Sequence, residues 1–257
     1  MTGWVLKLEY DGRGFVGWQR QANGLSVQEV LEQAASRLSS GIAPPSVVVA
    51  GRTDAGVHAA GQVARIELPD ELTARSVCEA LNFHMKPHSV VVLAAVPPPD
   101  ADWSPRFSAI GREYRYVILN RAARPALEAG FVWYVKRPLD AAAMHRAAQS
   151  LLGKHDFTSF RAAACQALSP LRTLDRLDVR RDGDHVVIEA SARSFLHHQV
   201  RNMAGTLKLV GEGSWPETRV AAALAAHDRS AAGPTAPPDG LTLMAVRYPV
   251  DPFGSRS

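Results

Sequence analysis

Trp4-Val5-Leu6-Lys7-Leu8-Glu9-Tyr10 alternates, with Trp4, Leu6, Leu8 and Tyr10 on one face, the period-two pattern of a half-buried strand. Working outward from it, Ser26-Val27-Gln28-Glu29 reads as a capping box, in which a hydroxyl and a carboxylate satisfy orphan helix amides. Val27, Val30, Leu31, Ala34 and Leu38 follow at helical spacing, so a helix is predicted over 27–38. Val47 to Ala50 and Gln62 to Leu68 read as strands. Thr73 can cap a helix through Val77, Leu81 and Phe83, and Val90 to Val96 is a buried strand. The order is β-α-β-β-α-β.

After Pro97-Pro98-Pro99 the order repeats. Arg112 to Leu119 alternates, with Tyr114, Tyr116 and Ile118 on one face. Asp140 caps a helix ending near Leu152, with Gly153 as a left-handed stop. Leu174 to Arg180 and His185 to Ala192 form a hairpin around Asp182-Gly183. A helix around Val200 to Val210, a short one opened by Pro216 and a strand from Leu241 to Tyr248 close the chain, with Gly233 to Gly240 as a surface loop. The expected class is α+β: two ferredoxin-like halves forming a continuous, mostly antiparallel sheet with helices on one side. The expected halves are 1–105, carrying the Asp54 loop, and 106–257, completing the active-site cleft, with a linker near 97–106. No sequence-level repeat accompanies the duplicated order.

Composition narrows the class. The chain has 257 residues, 46% hydrophobic and 21% charged, near the globular average, which excludes disorder, collagen and coiled coil. No apolar run approaches the roughly 18 residues that span a bilayer, and the start lacks the regions of a signal peptide. Cys78 and Cys165 are expected to stay reduced. A cytoplasmic protein without membrane contact is therefore expected. Basic residues exceed acidic ones, 29 to 25, and 24 of the 29 are arginine, whose planar fork suits phosphate and stacks on bases. That balance is compatible with nucleic acid.

Two loops carry the chemistry. Gly12-Arg13-Gly14-Phe15-Val16-Gly17 formally satisfies GxGxxG after a strand. A dinucleotide fingerprint needs a helix opening within the motif, and here the helix cap arrives only at Ser26, so no nucleotide cofactor is expected. The alternative is a mobile loop displaying Arg13, Trp18, Gln19 and Arg20 to unpaired RNA, or a plain loop with a packed Trp. Gly51-Arg52-Thr53-Asp54-Ala55-Gly56-Val57-His58 follows an apolar strand and can present a rigid carboxylate. A charged, positioned carboxylate can act as nucleophile or base; the competing reading is an Asx-type turn capped by Asp54. His197 and His198, as helical neighbours, would diverge by about 100° and no third ligand is evident, so no metal is assigned.

GRTDAGVHA (51–59) closely resembles the catalytic motif of the tRNA pseudouridine synthase A (TruA) family. YDGRGFVGWQRQ (10–21), RFSAIGREYRY (106–116), HDFTSFRA (155–162), FLHHQVRNMAG (195–205) and APPDGL (236–241) agree with it in order and spacing. Phe15 stands where that family often has Tyr, and NFHMKP (82–87) departs from its usual run. The resemblance implies a cofactor-free isomerase that converts uridine to pseudouridine in the anticodon arm of tRNA, acting as a homodimer. By the same resemblance Asp54 is the essential aspartate, Arg52 contacts tRNA and assists base flipping, and Tyr114 contacts the target uracil. Arg161 or Arg201 would pair with Asp54, Val200 and Met203 would line the pocket, and Arg13, Trp18, Gln19, Arg20 and Arg106 would contact tRNA. The rival class is a non-catalytic RNA-binding module of similar topology, which needs no Asp54.

Overall fold

A computed structural model describes residues 1–39 and 46–254. Its elements are β1 (Thr2–Tyr10), α1 (Val27–Leu38), β2 (Val48–Val49), β3 (His58–Leu68), α2 (Ala74–His84), β4 (Val90–Val96), β5 (Gly111–Leu119), β6 (Trp133–Tyr134), α3 (Ala141–Ala148), β7 (Gly153–Asp156), β8 (Leu171–Asp182), β9 (His185–Ala192), α4 (Gln199–Gly211), α5 (Thr218–Ala225) and β10 (Leu241–Arg247). The fold is α+β, with mostly antiparallel strands, as the order of elements implies. Among the described residues no helix is long and apolar enough to cross a membrane.

The chain divides into two compact units: residues 1–110 with the chain from Leu243 onward, and Gly111–Thr242. In the first, β1 lies between β4 and β3, antiparallel to both, and β10 follows beside β3. Helix α1 starts where expected because the Ser26 hydroxyl accepts the Glu29 amide. The reciprocal half of the box is replaced: the Glu29 carboxylate accepts the Gln33 side chain one turn on. Helix α2 carries a full box between Thr73 and Ser76 and buries Val77 and Leu81, while Phe83 stands 67% exposed.

The alternation of β1 breaks at Val5, which is completely buried although it points away from Leu6 and Leu8. The returning C-terminal chain is the reason. Val246, Tyr248 and Phe253 pack with Val5, Val63, Trp103 and Ala109, and the Tyr248 hydroxyl donates to the Pro105 carbonyl at 2.8 Å. The linear division at residue 105 takes no account of this return, because strand periodicity does not record which unit a late strand joins.

In the second unit the strand order is β5-β9-β8-β7, all antiparallel, with β6 parallel to β5 at its far end. The hairpin turns at Gly183, whose φ of +56° suits glycine. The helix opened by Asp140 ends at Ala148 and tightens into a 3-10 turn over Gln149–Leu151, so its stop at Gly153 (φ +91°) falls as expected. Strands β6 and β7 are additions to the expected order; at two and four residues they are too short to show a period.

Candidate functional site

Asp54 begins a tight turn. The Val57 amide donates to the Asp54 main-chain carbonyl at 3.1 Å, and Gly56 takes φ +77°, the left-handed position that such a turn reserves for glycine. Asp54 is half-buried and Arg52 exposed.

The turn is gripped by the glycine loop. Trp18 N–H donates to the Thr53 carbonyl at 3.0 Å, and Gly56 N–H to the Phe15 carbonyl at 3.4 Å. A Cβ on Gly12 would overlap the Val57 carbonyl oxygen, and one on Gly17 would lie 2.7 Å from the Thr53 oxygen. These two glycines are therefore where one backbone presses on another. The first and last glycines of the GxGxxG pattern are explained by that approach, the middle one, Gly14, by its φ of +81°, and the loop is not the freely displayed one that the sequence allows.

Beneath the turn runs a buried polar chain. Tyr10 Oη and Thr53 Oγ1 are 2.8 Å apart, Gln62 Nε2 reaches Tyr10 Oη at 3.3 Å and donates to the Gly51 carbonyl at 2.8 Å. Burial pushes the Tyr10 hydroxyl up to about 12, although Thr53 and Gln62 pull the other way, so it stays neutral and keeps its proton to donate. Gly51 and Thr53 are thus both anchored, one residue to either side of Arg52. Tyr10→Phe should cost about 1–2 kcal/mol by stripping buried partners of a hydrogen bond, seen as a fall in thermal midpoint and in turnover together. A second anchor joins the loop to β3: the Gly12 amide donates to His58 Nδ1 at 3.0 Å. Asp11 lies 3.2 Å from the same nitrogen and binds Arg13 at 2.6 Å. Burial alone would raise the Asp11 carboxyl, but the Arg13 hydrogen bonds outweigh it and hold it below its ordinary range.

The second unit organises its own candidates. Tyr114 on β5 is half-buried, edge-on to Phe195 with ring centroids 5.2 Å apart. Tyr116, two residues along, is a core residue whose hydroxyl donates to the Pro237 carbonyl at 2.8 Å. Arg161 follows a 3-10 turn over Thr158–Phe160, and Arg201 sits in the first turn of α4, its Nε donating to the Ala236 carbonyl at 2.8 Å. Val200 is 5% exposed and Met203 fully buried.

Asn202 ties these pieces together. It is fully buried, donates to the Phe160 carbonyl at 2.7 Å, and accepts from Thr235 at 2.6 Å and Arg229 at 3.1 Å. One side chain thereby sets the residue before Arg161, the helix turn of Arg201 and the loop after Gly233. Gly205 completes the fit, since a Cβ there would overlap the Pro234 carbonyl oxygen. Asn202, Tyr10, Thr53 and Gln62 escape a reading of the sequence because their partners lie 11–52 positions away, beyond any local pattern. The one signal for Tyr10, Thr53 and Asn202 is that they fall within the motif stretches; Gln62 has none.

The remaining candidates separate by exposure. Trp18 is 1% exposed and packs against Tyr10, so it is a core side chain and not one displayed by the loop. Arg13, Gln19, Arg20 and Arg106 are exposed; Arg13 is tied to Asp11, Arg20 to the buried Glu32 at 2.8 Å, and Arg106 stands over the Phe107 ring. His197 and His198 do not diverge as helical neighbours would. His198 takes φ +63° ahead of α4, and the two rings lie 4.0 Å apart.

A family model described as tRNA pseudouridine synthase matches residues 8–108 and 147–249. The chain is 79% identical over 253 residues to tRNA pseudouridine synthase A of Acidiphilium cryptum strain JF-5, covering 98% of this chain and 99% of that protein. It is 61% identical to tRNA pseudouridine synthase A of Rhodospirillum centenum, covering 96% and 100%, and 56% identical to that of Gluconobacter oxydans strain 621H, covering 98% and 92%.

Proposed function

The chain belongs to the tRNA pseudouridine synthase family, and from that premise we propose that it isomerises uridine in the anticodon stem-loop of tRNA with Asp54 as catalytic nucleophile or base. That it is an isomerase forming pseudouridine in tRNA follows from the family. The anticodon arm, the roles of single residues, the homodimer and the cytoplasmic location are our reading.

The observation that supports the role of Asp54 is its turn, closed by main-chain bonds and clamped by Gly12, Gly17, Trp18 and the Tyr10–Thr53–Gln62 chain. The reaction breaks the C1′–N1 bond, turns the base and forms a C1′–C5 bond; the C5 proton is lost and N1 gains one, so no redox partner is required. A base within a stem must first leave the stack, at a cost of a few kcal/mol. In our reading Arg52 holds the displaced backbone, the half-buried face of Tyr114 takes the uracil, and base–aromatic stacking returns about 1–3 kcal/mol. Arg161 and Arg201 supply charge to the carboxylate or to phosphate, and Val200 lends an apolar wall that keeps the detached base from water.

Arg52→Ala tests the flipping role. Turnover should fall by more than tRNA affinity does, because flipping follows encounter. Equal losses in kcat and in binding would make Arg52 an ordinary phosphate contact. The decisive assay is mapping of pseudouridine in tRNA incubated with the purified protein and with its Asp54→Asn variant.

A further inference from the structure

We propose that the second unit carries a basic groove, built by Lys154, Arg172 and Arg193, that takes phosphodiester oxygens of the tRNA backbone. It rests on the reading of the chain as a tRNA-modifying enzyme and adds to it a surface in none of the assigned roles.

Strand register builds the groove. Lys154 on β7 lies opposite Thr173 on β8, and the next β8 residue, Leu174, lies opposite Ala192 on β9. Arg193, one step past the end of β9, therefore falls beside Thr173. Lys154, Thr173 and Arg193 form a row across three strands, bounding a cleft of about 180 Å³ together with Leu171, Arg172 and Ser194.

Several arginines of the unit are matched to carboxylates: Arg115 and Arg176 to Glu189, Arg121 to Asp184, Arg146 to Glu217, Arg180 to Asp182. Among the described residues no carboxylate lies within ion-pair distance of Lys154, Arg172 or Arg193. Three like charges facing one cleft repel one another, and an anion placed among them relieves that repulsion.

Arg172 adds an independent observation. Its Nη1 donates to the Ser169 and Leu171 carbonyls, at 3.0 and 2.6 Å, which fixes the guanidinium against its own loop. Its Nε is buried without a hydrogen-bond partner. The planar fork, a primary ammonium and the hydroxyls of Thr173 and Ser194 form the donor set that binds nucleic-acid phosphate.

The test is a double substitution, Lys154→Gln with Arg193→Gln, leaving Arg172 and its loop bonds in place. Binding of full-length tRNA is followed by filter retention across a salt series, with pseudouridine formation measured at saturating tRNA. Affinity should fall about tenfold and the slope of log affinity against log salt should become shallower by about two, one for each phosphate no longer neutralised. The kcat should stay as in the unaltered protein. Lys154→Arg with Arg193→Lys, which keeps both charges, should restore affinity. Unchanged affinity and slope in the Gln variant overturn the groove, as does a loss confined to kcat. Binding reads the groove without turnover, so a failure of the unaltered protein to form pseudouridine counts against the Asp54 assignment instead.

Discussion

Asp54→Asn is expected to lower pseudouridine formation on the order of 10⁴-fold or more, the scale seen when a residue acting directly on the reacting bond is removed, while tRNA binding persists. The change is nearly isosteric. The turn survives it because the bond that closes the loop comes from the Val57 amide to the main-chain carbonyl of residue 54, at 3.1 Å, and the neighbouring anchors belong to Gly51 and Thr53. What disappears is a charged group able to attack carbon or take a proton, since an amide does neither at neutral pH. Mapping modified positions, alongside a binding isotherm for the same variant, separates the outcomes. A variant that still modifies tRNA at near the original rate would remove Asp54 from the chemistry and leave the family's activity resting on another group. Loss of binding in parallel with turnover would instead make the carboxylate a structural element.

Gly12→Ala should also lower turnover strongly, though less, and by a different route. An added methyl overlaps the Val57 carbonyl oxygen and comes within 2.7 Å of the Gly56 carbonyl carbon; both neighbours are backbone and cannot rotate away. The loop carrying Asp54 must move. Overpacking of this kind costs about 1–3 kcal/mol of stability, and a displacement near 1 Å at a reacting group costs on the order of 10²-fold in rate. Gly14→Ala is the matched control. Gly14 has φ +81° but nothing within 4 Å of an added Cβ, so its cost is conformational, about 1–2 kcal/mol, and local. The two variants should lose comparable stability and differ by about two orders of magnitude in kcat. Similar kcat values would mean that the approach to residues 56 and 57 does not position the carboxylate. A nucleotide-cradling loop would show the opposite bias, with the exposed glycine the sensitive one.

Much of the fold was legible without coordinates because the relevant physics is local. Helix α1 begins where Ser26 meets an orphan amide and ends at the predicted Leu38; the Gly183 hairpin and the bounds of β4 also fall where expected, although β4, read as a buried strand, leaves Val91 39% and Leu93 42% exposed. The motif around Asp54 was legible for the same reason, being contiguous. Trp18 was open to two readings because a tryptophan in a loop is compatible with stacking on a base or with packing on Tyr10, and only its 1% exposure decides.

From the sequence alone come the alternating and helical periods, the caps, the glycine turns and the run of residues that carries the chemistry, since each depends on neighbours within a few positions. The tertiary structure decided the rest: that the chain from Leu243 onward returns to the first unit, that Gly12 and Gly17 are spaces for another backbone, and that Tyr10, Gln62 and Asn202 are the buried anchors. Those facts depend on groups distant in sequence meeting where water is excluded. There an unpaired polar atom or an extra methyl is costly, and no local pattern registers that cost.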